Sequence, residues 1–166
     1  ADMKGGKSHQ IVKDALTILS NMTHRGAKGA DPKTGDGAGI MMQIPHKFFK
    51  KALSGDLPEL GEYGVGMLFL SRNEEVRQRC QDALQQIIVE EGQTMLCWRN
   101  VPTSNDSLGE GALAAEPKIQ QFFIQKNNEA LVGDDPLAFE RKLYVIRKRA
   151  EHEISQIADG EPFYFS

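Results

Sequence analysis

The sequence predicts one domain that mixes helices with strands, and three observations carry that expectation. Long stretches repeat apolar residues at helical spacing, as in "EEVRQRCQDALQQIIVEEG" and "DDPLAFERKLYVIRKRAEHEISQI". Between them lie short, densely apolar runs such as "YGVGMLFLS" and "TMLCW", which suit strands. At 166 residues the chain is long enough for one real core and too short to expect two.

Taken in order, Ser8 is a good N-cap for a helix through "HQIVKDALTILSNM". Its apolar face carries Ile11, Ala15, Ile18, Leu19 and Met22, widened by Val12 and Leu16. A glycine-rich loop ends it. "AGIMMQI" is then almost wholly apolar, as expected of a strand buried on both faces. Pro45 stops that run and suits the first turn of a short helix, "PHKFFKKAL". After the turn-forming "SGDLPELGE" comes the strand candidate "YGVGMLFLS". Asn73 can cap the next helix, which has an acidic first turn and Gly92 just past its end. "QTMLCWRNVP" is a third strand, residues 103–116 a long polar loop, and "PKIQQFFIQ" a fourth strand or extended segment. The longest helix follows, with Leu137, Leu143, Ile146 and Ile154 on its stripe, and "PFYFS" would be a fifth strand. By default, such alternation suggests a doubly wound sheet.

Composition excludes several function classes. A formal net charge of −3 gives no footprint for nucleic acid. No apolar run approaches the roughly 20 residues of a membrane span, and no signal-peptide pattern opens the chain. Cys80 shares a helix face with Val76, Leu84 and Ile87 and reads as a buried thiol, as does Cys97 in its strand. A reducing, cytoplasm-like compartment fits this usage. His9, His24, His46 and His152 include no pair at zinc-site spacing, so each reads as a helix-surface or capping residue and no metal is expected. "RKLYVIRKRAEHE" is a solvated face neutralised by Glu140, Glu151 and Glu153, and the adjacent Glu90 and Glu91 imply no facing carboxylate pair.

The stretch "HRGAKGADPKTGDGAGI", residues 24–40, carries the chemical interest. It is not a Walker loop, because no Gly-Lys-Ser/Thr follows its glycines. A dinucleotide fingerprint needs a strand before the glycines and a helix after, and here the order is reversed. A calcium loop counted from Asp31 would need Glu where Met42 stands. On the residues alone, a plain connector between helix and strand stays open.

"ALTILSNMTHRGAKGADPKTGDGAGIMMQIPHKFF" resembles the N-terminal glutamine amidotransferase domain of glutamate synthase large subunits. The likeness continues through "WRNVPTSNDSLGEGALAAEPKIQQFFIQ" and "FERKLYVIRKRAE" and covers essentially the whole chain. His24-Arg25-Gly26 is shared more loosely among class II amidotransferases. The longer element from Thr34 to Ile40, followed by Pro45-His46-Lys47-Phe48-Phe49, is specific to glutamate synthases. The resemblance implies an α+β fold of the N-terminal nucleophile hydrolase type, a four-layer αββα sandwich with two antiparallel sheets. It implies hydrolysis of L-glutamine and delivery of ammonia to 2-oxoglutarate at a synthase site elsewhere in the same large subunit. FMN and an iron–sulfur cluster are implied there and no cofactor in this region. A cytoplasmic location is implied, or a plastid one for a plant-type enzyme.

In that family the nucleophile is an N-terminal cysteine whose own α-amino group, with an unperturbed pKa of about 7.7–8.0, acts as base. Here residue 1 is Ala, and neither Cys80 nor Cys97 carries a free amine. The family's oxyanion Asn-Gly pair has no match in context. Residues 1–166 are therefore expected to be part of a single amidotransferase domain, truncated at both ends and inactive alone, with the nucleophile upstream of Ala1. By resemblance, Arg25, Gly26, Gly35, Asp36 and Gly37 frame the active site. Arg25 would favour the thiolate, Gly26 and Gly37 would let backbone approach substrate, and Asp36 would hold the loop through backbone amides. A non-catalytic docking or regulatory module that keeps the fold is the alternative.

Overall fold

A computed structural model of the chain describes residues 4–27, 31, 33, 35, 37–55, 57–131, 135–158, 160–161 and 163–166. They fall into two compact units, Ala1–Gln43 with Ser104–Glu116, and Ile44–Thr103 with Pro117–Ser166.

The second unit is built on a sheet. Strands β1 (Tyr63–Leu70), β2 (Thr94–Asn100), β3 (Lys118–Gln125) and β4 (Tyr164–Phe165) lie in the order β2-β3-β1-β4, and every neighbouring pair is antiparallel. The doubly wound default is thereby overturned, because no strand pair is parallel among the described residues. The α+β class stands.

Alternation along the strands sorts residues to two faces. Leu68, Leu70, Phe122 and Ile124 share a core with helices α3 (Glu74–Glu90) and α5 (Ala138–Ala158). Tyr63, Val65 and Phe123 point the other way, where Phe49 of α2 (His46–Ala52) and Leu57 join them. In β2 the consecutive Leu96 and Cys97 both meet this second cluster, while Met95 and Trp98 meet the first. A β-bulge between Met95 and Cys97 accounts for the change of phase, since one extra residue resets the alternation.

The helices form where their ends are marked. Asn73 Oδ1 accepts from the amides of Glu75 and Val76, and Gly92 takes the left-handed φ of 75° just past α3. Cys80, Leu84, Ile87 and Ile88 are buried at helical spacing. In α5 the stripe runs Phe139, Ile146, Ala150, Ile154 and Ala158. Leu143 packs at its margin, but Leu137 precedes the helix and is exposed, because the periodic stripe begins only at Phe139. Burying each large side chain here is worth about 1.5–3 kcal/mol. The glycines of β1 make room for this packing. A Cβ on Gly64 would come within 2.7 Å of Leu143 Cδ1, and one on Gly66 would strike the ring of its cross-strand partner Phe122.

Glu90 and Glu91 do converge, though on one cation rather than on each other. Arg149 donates from Nη2 to Glu90 at 2.6 Å, from Nη1 to Glu91 at 2.9 Å, and from Nε to Glu153 at 2.9 Å. Lys142 adds a second bond to Glu91 at 2.8 Å, so the end of α3 is tied to the middle of α5.

The first unit holds helix α1 (His9–Asn21), the glycine loop and the 104–116 segment. Ser8 caps α1 as expected, accepting from the Gln10 amide at 3.0 Å. None of the helix's residues is buried. The polar loop contains a short helix, α4 (Glu110–Ala114), which its Gly-rich composition hides. "AGIMMQI" forms no strand: residues 38–44 are irregular and Met41 is fully exposed. An apolar run becomes a strand only where another edge pairs with it, and among the described residues none pairs with this one.

Candidate functional site

Arg25, Gly26, Gly35 and Gly37 all lie in the first unit, and the end of α1 determines how Arg25 is presented. The Met22 amide bonds back to the carbonyls of Ile18 and Leu19, and a 3-10 turn, Thr23–Arg25, follows directly. The Arg25 amide donates to Met22 O at 2.8 Å and the Gly26 amide to Thr23 O at 3.2 Å. Thr23 Oγ1 donates to Ser20 O at 2.6 Å, and His24 Nδ1 lies 3.0 Å from Asn21 O. These bonds satisfy carbonyls that a helix end leaves open. His24 is thus a capping residue, as its position suggests. The Arg25 side chain is exposed and makes no hydrogen bond or ion pair among the described residues. A planar guanidinium left open in this way can take a carboxylate or an amide oxygen through two parallel donors.

The four loop positions differ in what they require. Gly26 has φ −77° and ψ 149°, an extended conformation any residue adopts, so conformation alone does not call for glycine there. Gly35 forms an isolated bridge, and a Cβ on it would sit 3.6 Å from Ala27 O, an ordinary contact. Gly37 has φ +79°, in the left-handed region where a side chain costs roughly 1–2 kcal/mol. No described residue crowds the side of its Cα that a Cβ would take, so the left-handed backbone is what favours glycine there. Asp36 lies outside the described residues.

The second unit supplies the titratable groups that need to be weighed as nucleophiles. Burial pushes both the Cys80 and the Cys97 thiols above their ordinary value, and at Cys80 the nearby Arg79 charge opposes that rise. Thiols held protonated in this way are poor nucleophiles. His46 carries a contact that its sequence position does not announce. Its Nδ1 lies 3.0 Å from the hydroxyl of Tyr63, and its Nε2 4.0 Å from Glu59. Burial raises the Tyr63 hydroxyl, which keeps it a donor, and the Lys50 ammonium holds Glu59 below the usual carboxylate range. The proximity of "PHKFF" to the glycine loop marks His46 in the sequence, but nothing in the sequence pairs it with a tyrosine 17 residues away.

Among the described residues, no helix is long and apolar enough to cross a membrane. The family model for class-II glutamine amidotransferases matches residues 1–166. The chain is 43% identical over 167 residues to the glutamate synthase [NADPH] large chain of Bacillus subtilis, covering 100% of this chain and 11% of that protein. It is 41% identical over 159 residues to the glutamate synthase [NADH] of Schizosaccharomyces pombe, covering 93% of this chain and 8% of that one. Ferredoxin-dependent glutamate synthase 1 of Arabidopsis thaliana is 36% identical over 169 residues, 99% of this chain and 10% of its own length. The chain thus spans about a tenth of the length of the curated relatives it matches. Matched from end to end, the chain belongs to the class-II glutamine amidotransferases.

Proposed function

We propose that this chain is part of the glutaminase domain of a glutamate synthase, which hydrolyses L-glutamine and passes the ammonia to 2-oxoglutarate. The observation that carries this reading is the exposed Arg25 at the head of the glycine loop, its side chain unpaired among the described residues, in a chain similar to glutamate synthases over nearly its whole length. The nucleophile in this reading is an N-terminal cysteine that precedes Ala1, because the thiols of Cys80 and Cys97 are held protonated by burial. Arg25 favours the thiolate or the developing oxyanion, and Gly37 supplies the left-handed turn that brings backbone to the substrate. Gly26, Gly35 and Asp36 complete the frame. The four-stranded sheet is one of two in a four-layer αββα sandwich. FMN and the iron–sulfur cluster belong to the remaining domains of the same large subunit, which are this domain's partners.

Arg25→Lys in a full-length glutamate synthase carrying this domain tests the reading. A flexible ammonium lacks the planar fork, so glutamine-dependent turnover should fall by roughly 10²- to 10³-fold. Glutamate synthesis from added free ammonia should stay near wild type. Equal loss of both rates would make Arg25 structural, and loss of neither would make the loop a connector.

A further inference from the structure

Within the first unit, a close contact between described residues joins the glycine loop to the 104–116 segment. Asp31 folds its carboxylate back on the loop, and Oδ1 accepts from the Lys33 amide at 2.9 Å. The same carboxylate lies against Gly109, the N-cap residue of α4. A Cβ built on Gly109 would run into Asp31 Oδ2, with Cγ at 2.7 Å and Oδ1 at 3.1 Å. Gly109 has φ −78° and ψ 164°, which any residue adopts, so glycine is required there for space alone. Its Cα hydrogen can point at a carboxylate oxygen, a weak directional contact that a side chain would displace. The segment that presents Gly109 is braced. Asn105 Nδ2 donates to both Glu116 carboxylate oxygens at 3.0 Å, and the Leu113 amide donates to Gly109 O at 3.0 Å.

We propose that Asp31 and Gly109 form a positioning contact, the carboxylate seated on the glycine Cα, through which residues 104–116 hold the glycine loop in its working shape. This rests on the reading of that loop as the frame of the glutamine site. Neither residue touches substrate in this assignment. They act through the loop that carries Gly37 and adjoins Arg25.

The test uses a full-length glutamate synthase carrying this domain. Gly109→Ala places a methyl group where the carboxylate sits, and glutamine-dependent kcat/KM should fall by roughly 10- to 100-fold, as misplaced positioning groups typically cause. The ammonia-dependent rate should not change. Asp31→Ala should cost less, and Asp31→Asn, which keeps the shape, less again. Adding Asp31→Ala to Gly109→Ala should restore the rate to within about threefold of Asp31→Ala alone, because the clash has been removed. Losses that multiply in the double variant would overturn the contact. Hydrogen exchange of residues 24–40 gives a readout independent of glutamine chemistry. Exchange should quicken in Gly109→Ala and slow again in the double variant, and unchanged exchange overturns the proposal. Quicker exchange with an unchanged glutamine rate overturns the positioning role, and if Arg25→Lys is then also silent, the fault lies in the glutamine-site reading itself.

Discussion

Helices α3 and α5 of the sheet unit bury Leu84, Ile88, Ile146 and Ile154 completely, whereas α1 of the other unit buries no residue. All three helices show the same kind of apolar repeat in sequence. The difference lies in what receives the stripe. In the sheet unit, Leu68, Leu70, Phe122 and Ile124 offer a pleated apolar face, and the helices close over it. In the first unit the chain is shaped by local devices instead: a serine cap, a 3-10 turn, a left-handed glycine and a carboxylate folded onto its own loop. Tertiary burial supplies most helix stability in proteins, and caps supply about 1 kcal/mol each. Among its described residues, the unit that carries the candidate site is therefore held mainly by weaker, local interactions, with the Asp31–Gly109 contact as a long-range exception.

The largest expected effect lies at the centre of the sheet. Phe122 is 1% exposed, faces Gly66 across the β1–β3 pair and meets Trp98 and Phe165 through its ring. Phe122→Ala should destabilise the chain by about 3–5 kcal/mol, the range for truncating a buried aromatic. Denaturant unfolding followed by fluorescence of Trp98, the sole tryptophan, measures this. A loss under about 1 kcal/mol would mean that this core is not consolidated in solution and would erase the contrast between the units.

That contrast also sets how much the sequence could disclose. The strands β1, β2 and β3 and the helices α3 and α5 were legible because periodicity and end signals agree: Asn73 before one helix, Gly92 after it, and apolar runs flanked by turns. Sheet order was not legible, since pairing joins residues as distant as Tyr63 and Gln125, and no local pattern encodes a partner. "AGIMMQI" shows the same gap from the other side, with a strand-like composition but no partner edge. In the loop, Gly37 could be singled out by residue type and Arg25 by its motif. The Asp31–Gly109 contact could not, because it joins positions far apart in sequence through the absence of a side chain.

A smaller effect should appear where α3 and α5 are tied by charge. Hydrogen bonds from Lys142 first, then Arg149, hold the Glu91 carboxyl below its ordinary value. A carboxylate with a depressed folded-state pKa adds stability above the unfolded value of 4.5, and that stability is lost as pH falls through the folded value. Thermal midpoints should therefore drop as the pH is lowered below about 4.5. Arg149→Met should lower the midpoint at neutral pH by roughly 2–4 °C and make the acid dependence shallower, because part of the depression at Glu91 and Glu90 is removed. An unchanged acid slope in the variant would show that the drop comes from other carboxylates.

The smallest effect is expected on α1, and it decides whether the helix is as open as its side chains indicate. Leu16 is 52% exposed and Ile18 57%, so removing either apolar group takes little surface out of contact with protein. Leu16→Ser also keeps a residue tolerated on a helix surface, with a modest propensity cost. Global unfolding should shift by no more than about 0.5 kcal/mol, the usual range for a surface site. The same substitution at a position of α3 such as Leu84, which is fully buried, would remove a core side chain and leave a hydroxyl without an apolar replacement. Measuring both variants by one denaturant series sets the two helices on a common scale. If Leu16→Ser cost more than about 2 kcal/mol, α1 would be packed in solution, and its unit would owe its shape to burial after all.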